Sequence, residues 1–133
     1  MFPFEFTIKG PPISHQTRNR QRMQEWKAAV AAAATAAWTN GNSVADEVSV
    51  TITYYYEDAS PDVDNIIKPI QDALIGIVFV DDNQVVDTKS RKRRIDGSFR
   101  IRGASAVLLS AFADGDDFLH IKVDEAPDME ALD

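Results

Sequence analysis

A chain of 133 residues, 44% hydrophobic and 26% charged, has room for one packed domain and too little for two of ordinary size. It contains no cysteine, which excludes a disulfide framework and thiolate metal sites; no apolar run approaches the ~20 residues of a membrane span, and the N-terminus does not read as an export signal, so a cytoplasmic protein without a membrane partner is expected. The net charge of −7 speaks at first sight against a nucleic-acid partner, because phosphate binding draws on Lys and Arg. Its distribution reverses that reading. Residues 113–133 hold eight acids against Lys122 alone, which leaves thirteen acids and thirteen bases in residues 1–112. Within that neutral body Arg18, Arg20 and Arg22 crowd together, and Lys89, Arg91, Lys92, Arg93, Arg94, Arg100 and Arg102 oppose only Asp96. Two basic patches and an acidic tail describe the chain better than its net charge does.

Phe2, Phe4, Phe6 and Ile8 alternate with polar or small residues, a period of two that predicts a first strand with one buried face, ended by Gly10-Pro11-Pro12. From about residue 19 to 39, Met23, Trp26, Lys27, Val30, Ala33, Ala34, Ala37 and Trp38 recur at helical spacing, and Asn40-Gly41 closes that helix. Val48, Val50, Ile52, Tyr54 and Tyr56 alternate again, predicting a second strand that leaves Tyr55 on the opposite face, with a turn at residues 58–61. A second helix turns Ile66, Ile67, Ile70 and Leu74 inward and stops at Gly76. Pro69 requires either that its regular part begins near Asn65 or that it kinks. An extended stretch through Gln84, Val85 and Val86 leads into the basic run. A short third helix over residues 105–113 uses Val107, Leu108 and Phe112, and a last strand over 117–123 buries Leu119, Ile121 and Val123. The pattern predicts a single-domain α+β fold: a mixed sheet of about four strands covered by two main helices and a short third one. Residues 1–123 form the domain and 124–133 an acidic, disordered tail.

Residues 61–74 and 80–87 carry the chemistry. They place Asp62, Asp64 and Asp81 or Asp82 in two segments that an apolar run could fold together, with Lys68 as a nearby cation. Hard divalent cations such as Mg²⁺ take oxygen ligands, and phosphate-processing sites commonly supply only a few carboxylates. Structural readings stand beside this one. Asp62 and Asp64 suit the start of a helix, Asp64 and Lys68 are spaced as a surface ion pair, and Asp81-Asp82-Asn83 reads as a turn. The basic run is by itself most simply a solvated face.

The combination resembles the RusA-type Holliday junction resolvases. Their signature is an Asp-x-Asp-Asn, a lysine, an Asp-Ala-Leu, a glycine, an apolar patch and Asp-Asp-x-Gln-Val. Here Asp62, Asp64, Asn65, Lys68, Asp72, Ala73, Leu74, Gly76, Asp81, Asp82, Gln84 and Val85 follow that order. The resemblance implies a crossover junction endodeoxyribonuclease of DNA recombination and repair that uses Mg²⁺, or Mn²⁺ in its place. Asp62, Asp64 and Asp82 would be its metal-binding catalytic carboxylates and Lys68 its catalytic lysine. It also implies a homodimer acting on branched DNA, the four-way junction. Beside such a site Arg18, Arg20, Arg22, Lys89, Arg91, Lys92, Arg93 and Arg94 become candidate DNA contacts, although alternation along a strand sends only about half of a basic run to one side. The rival readings are a nuclease for other branched DNA and a catalytically silent, DNA-binding recombination accessory protein.

Overall fold

The computed structural model describes residues 2–58, 62–95 and 100–132; part of the turn expected at 58–61 lies outside them. Four strands, β1 (Phe4–Lys9), β2 (Val48–Tyr56), β3 (Val85–Arg94) and β4 (Phe118–Glu125), form one mixed sheet in the order β1-β4-β2-β3. β4 runs antiparallel to both β1 and β2, whereas β2 and β3 are parallel. Three helices accompany them, α1 (Arg20–Ala37), α2 (Ile67–Leu74) and α3 (Ala106–Asp114). This is the α+β fold that the periodicities predict.

α1 and α2 cover one face of the sheet. Trp26, Val30 and Ala34, four residues apart on α1, are buried against Ile70, Ala73 and Leu74 of α2 and against Val50, Ile52, Ile121 and Val123 of the two central strands. Trp38, just past the helix, sits edge-on to Phe4 at 5.0 Å. Both tryptophans thus belong to the monomer's core. Asn19 caps α1 by accepting from the Arg22 N–H at 3.1 Å, so Arg20 and Arg22 lie in the first helical turn. No acid accompanies them there, although a helix N-terminus disfavours cations by a few tenths to ~1 kcal/mol.

Pro69 produces no kink. A 3₁₀ turn over Val63–Ile66 precedes α2, which starts at Ile67; the proline therefore falls in the first turn, where its missing N–H had no partner to lose. The helix ends at Gly76, whose φ of +83° is the left-handed conformation that glycine adopts without penalty. The apolar residues that follow turn back sharply, and Val78 and Phe79 plug the core.

α3 lies over the other, more polar face. Leu108, Ala111 and Phe112 turn toward the sheet, while Val107 is 38% exposed; so short a helix buries only a narrow stripe. Its start is held by Ser105, whose hydroxyl donates to the Glu5 carboxylate, and His120 Nε2 lies 3.0 Å from the same oxygen. β4 continues two residues beyond the expected Val123, because Asp124 and Glu125 pair with Ser49 and Val48. The chain then leaves at the end of the sheet where β3 begins, roughly 26 Å from the Arg94 end at about 3.3 Å per residue.

Burial raises the pKa of Glu5, but the hydrogen bonds from Ser105 and His120 and the charges of His120 and Lys122 outweigh it, and the carboxyl ends below its ordinary 4.5. A carboxylate with a depressed folded-state pKa adds stability above the unfolded value and loses it as pH falls through the folded one. Glu5→Gln is therefore expected to cost about 1 kcal/mol at neutral pH. Its urea unfolding curve should start to approach that of the wild type below pH 4.5 and converge with it only once pH has fallen through the depressed folded-state pKa; a constant difference down to acid pH would show that the ion cluster does not set this dependence.

Candidate active site

The residues picked out for chemistry all lie on the crossover that joins the parallel strands β2 and β3. Asp62 opens the 3₁₀ turn, and its carbonyl accepts from the Asn65 N–H at 3.0 Å. Its carboxylate caps nothing. Neither Asp62 nor Asp64 has a side-chain hydrogen bond or an ion pair among the described residues, and both are exposed. The capping explanation of these two acids therefore has no bond to rest on. The turn is tied down through its backbone and the helix behind it. Ser90 of β3 donates its hydroxyl to the Val63 carbonyl, Gln71 of α2 donates to Thr88 Oγ1 at 2.9 Å, and the His15 N–H donates to the Asn65 carbonyl at 2.9 Å.

Asp82 is positioned by its neighbours. Asp81 accepts from the Asp82 N–H at 2.8 Å and starts a short 3₁₀ turn over Asp82–Gln84. Gln84, only 8% exposed, locks that turn in place. Its amide oxygen accepts from the N–H groups of Val80 and Asp81 at 2.8 and 2.9 Å, and its amide nitrogen donates to the carbonyls of Val44 and Asp46 at 2.9 and 2.8 Å. One side chain so ties the Asp82 turn to the segment entering β2, and Asp82 itself keeps its carboxylate free of backbone bonds.

Lys68 connects the two acidic segments. Its ammonium is 2.9 Å from Asp72 and 3.7 Å from Asp82. The i,i+4 pair on this helix is thus Lys68 with Asp72; Asp64 is not its partner. Asp72 is shared with Lys27 of α1 at 3.6 Å, a residue whose place on the inward stripe of α1 was the one sequence signal for such a role. The Lys68 side chain is 60% exposed, so these pairs add little stability; they fix where the ammonium sits. The hydrogen bond and charge of Asp72 raise the Lys68 pKa, desolvation opposes, and Asp82 adds a smaller increase. Lys68 at neutral pH is accordingly a cation and not a base.

Among the described residues no three carboxylate or histidine side chains are gathered closely enough to hold a metal ion. By donor chemistry Asp62, Asp64 and Asp82 nevertheless fit a hard divalent cation: all are exposed carboxylates, and the first two have no competing partner.

The basic run does divide by face. Thr88 and Ser90 contact α2 and the 3₁₀ turn, and Lys92 and Arg94 follow them on that side, 6.0 and 5.6 Å from the Tyr56 ring. Arg91 turns the other way and donates to Thr53 at 2.9 Å. Lys89 and Arg93 share its side, opposite Thr51 and Tyr55 in the strand register. Arg18, Arg20 and Arg22 are exposed around the start of α1.

The family model described as Endodeoxyribonuclease RusA matches residues 9–102, a span that contains both acidic segments, Lys68 and the whole of β3. The chain belongs to the RusA endodeoxyribonuclease family. No curated protein gives a significant match. Membership identifies a nuclease domain acting on DNA at the family level, and the RusA signature coincides with the crossover: the Gln84 side chain holds backbone, while Asp62, Asp64, Lys68 and Asp82 present free or salt-bridged charge.

Replacing Gln84 by Ala strands four backbone groups in one step. At ~1–3 kcal/mol for a buried unpaired group, with the outermost reached by water, the expected loss is about 2–4 kcal/mol in urea unfolding. A loss under about 0.5 kcal/mol would mean that the amide does not hold the Asp82 turn.

Proposed function

We propose that this RusA-family protein is a Mg²⁺-dependent, structure-selective endonuclease that resolves four-way DNA junctions by paired phosphodiester cleavage in recombination and repair. The observation that carries the reading is the crossover itself. Asp62 and Asp64, unpartnered among the described residues, share it with a lysine whose position Asp72 and Asp82 fix.

Asp62, Asp64 and Asp82 would hold the metal. Bound there, Mg²⁺ supplies an activated water and neutralises charge on the phosphate and leaving oxygens. The Lys68 ammonium, raised in pKa and held between two carboxylates, offers a compact positive charge to the phosphate oxygens as negative charge builds on them. Asp72 acts through Lys68 as a positioning residue, with Lys27 on its other oxygen. Lys92 and Arg94, on the sheet face of Thr88 and Ser90, and Arg18, Arg20 and Arg22 near α1 supply phosphate contacts that orient the strand without reading its sequence. A four-way junction has two-fold symmetry and needs two opposed cuts, which a homodimer with one site per subunit matches.

Cleavage of an end-labelled four-way junction, against a linear duplex of the same sequence, tests the proposal. The wild type should place symmetric nicks in the junction with Mg²⁺ and none with EDTA. Asp64→Asn, which removes an exposed and unpaired charge, should cut at least about 100-fold more slowly. It should keep the wild-type unfolding midpoint and junction affinity, and sedimentation should give a dimer. Wild-type binding without nicks would leave a recombination accessory protein; equal cutting of flaps and forks would broaden the substrate to branched DNA in general.

A further inference from the structure

On the sheet face away from Asp62 and Asp64, β3 and α3 enclose a cleft of about 520 Å³. We propose that this cleft is a second nucleic-acid site that takes an unpaired nucleotide, its phosphate on the arginines and its base against Tyr55 and Phe112. The inference deepens the junction-nuclease reading and rests on it for the source of such a nucleotide, the branch point.

The lining has the two chemistries that a nucleotide needs. Arg91 and Arg93 reach it from β3, and Arg100 and Arg102 from the segment before α3. Arginines from two separate segments therefore border one hollow, and Arg94, at the end of β3, borders it as well. Among the described residues no carboxylate lines it. An edge strand gains protection from charge of any kind, so edge protection accounts for Arg91 and Arg93 but not for Arg100 and Arg102 on the opposite wall. The planar fork of arginine matches phosphate oxygens and also stacks on rings.

The apolar wall is preassembled. Tyr55 stacks on Phe118 at 4.8 Å and 24°, and Phe112 closes edge-on to Tyr55 at 4.9 Å and 73°. Tyr55 and Phe112 remain partly exposed and border the cleft, with Leu108 beside them. Burial raises the Tyr55 pKa while Arg91 and Arg93 pull it down, so the phenol and these two guanidinium groups interact and the phenol stays neutral at working pH. The volume lies within the ~300–1,000 Å³ of small-molecule pockets. That admits one base and its phosphate, whereas an intact duplex exposes no base face to stack; each base stacked on an aromatic ring is worth ~1–3 kcal/mol.

The test uses the full chain in EDTA, so that cleavage plays no part, and reads the anisotropy of a labelled oligothymidylate of about twelve nucleotides beside a duplex of equal length. Arg100→Ala with Arg102→Ala, both exposed, should weaken oligothymidylate binding about tenfold and flatten its salt dependence by one to two phosphates' worth. Tyr55→Leu should weaken it by about fivefold or more with the salt slope kept. In case that variant fails to fold, photocrosslinking of a 5-iodouracil oligonucleotide to the wild type should map to Tyr55 or Phe112. A change under twofold in the arginine variant, or crosslinks confined to the Asp64 side, would overturn the proposal. So would finding residues 126–132 of a second copy crosslinked in the cleft and not displaced by oligonucleotide, which would make it an interface between copies. Cleft-dependent binding in a protein that never cuts junctions would remove the resolvase reading and leave a nucleotide site; junction cutting without cleft-dependent binding would remove only this one.

Discussion

Two neighbouring strands that run in the same direction cannot be joined by a hairpin, and the chain between them must travel back along the sheet. The parallel pairing of β2 with β3 imposes that journey here, and every residue of the candidate active site is met on it. The crossover begins after Tyr56, passes Asp62 and Asp64 in a 3₁₀ turn, carries Lys68 and Asp72 on α2, and returns through Asp82 to Val85. Its outbound half is fastened to β3 by Ser90 and Thr88, and its return half to the entry of β2 by the amide of Gln84. Both acidic segments are thus tied, by different bonds, to the same pair of strands.

The same pairing makes β3 an edge strand, and an edge strand that is not capped by another element shows both of its faces. Alternation along it sends Lys92 and Arg94 to the side of the crossover and Lys89, Arg91 and Arg93 to the side of α3. A run that reads as one basic patch therefore serves two surfaces on opposite faces of the sheet, with Arg94 at the end of the strand bordering both. The first adjoins the candidate active site. The second joins Arg100 and Arg102, which β3 cannot bring there alone, and meets an aromatic cluster that belongs to the smaller, polar-faced half of the domain.

Charge in the crossover is arranged unevenly. Asp72 faces two lysines, Asp82 one, and Asp62 and Asp64 none among the described residues. Such exposed pairs contribute little to folding, so stability sets no requirement for a counter-charge at Asp62 and Asp64. The proposed site, which has to accept a cation and then a phosphate, would use carboxylates left open in this way.

Most of the fold was legible in the sequence because its signals are local. Period-two alternation marked β1, β2 and β4, the stripe of Trp26, Val30 and Ala34 marked α1, and Gly76 marked a helix end through a conformation that other residues adopt only with strain. Locality also set the limits. Whether Pro69 kinks a helix depended on where the first turn starts, and whether Lys68 pairs with Asp64 or with Asp72 depended on the 3₁₀ turn between them. The acidic motif named the residues of the candidate site, since the chemistry of a phosphate site restricts the side chains that can serve it. Which of them meet was decided by the tertiary structure alone. Lys27 reaching Asp72 and Gln84 reaching Val44 and Asp46 are contacts between segments whose approach no local pattern encodes, because it follows from strand order and from the burial of α1 and α2 on one face of the sheet.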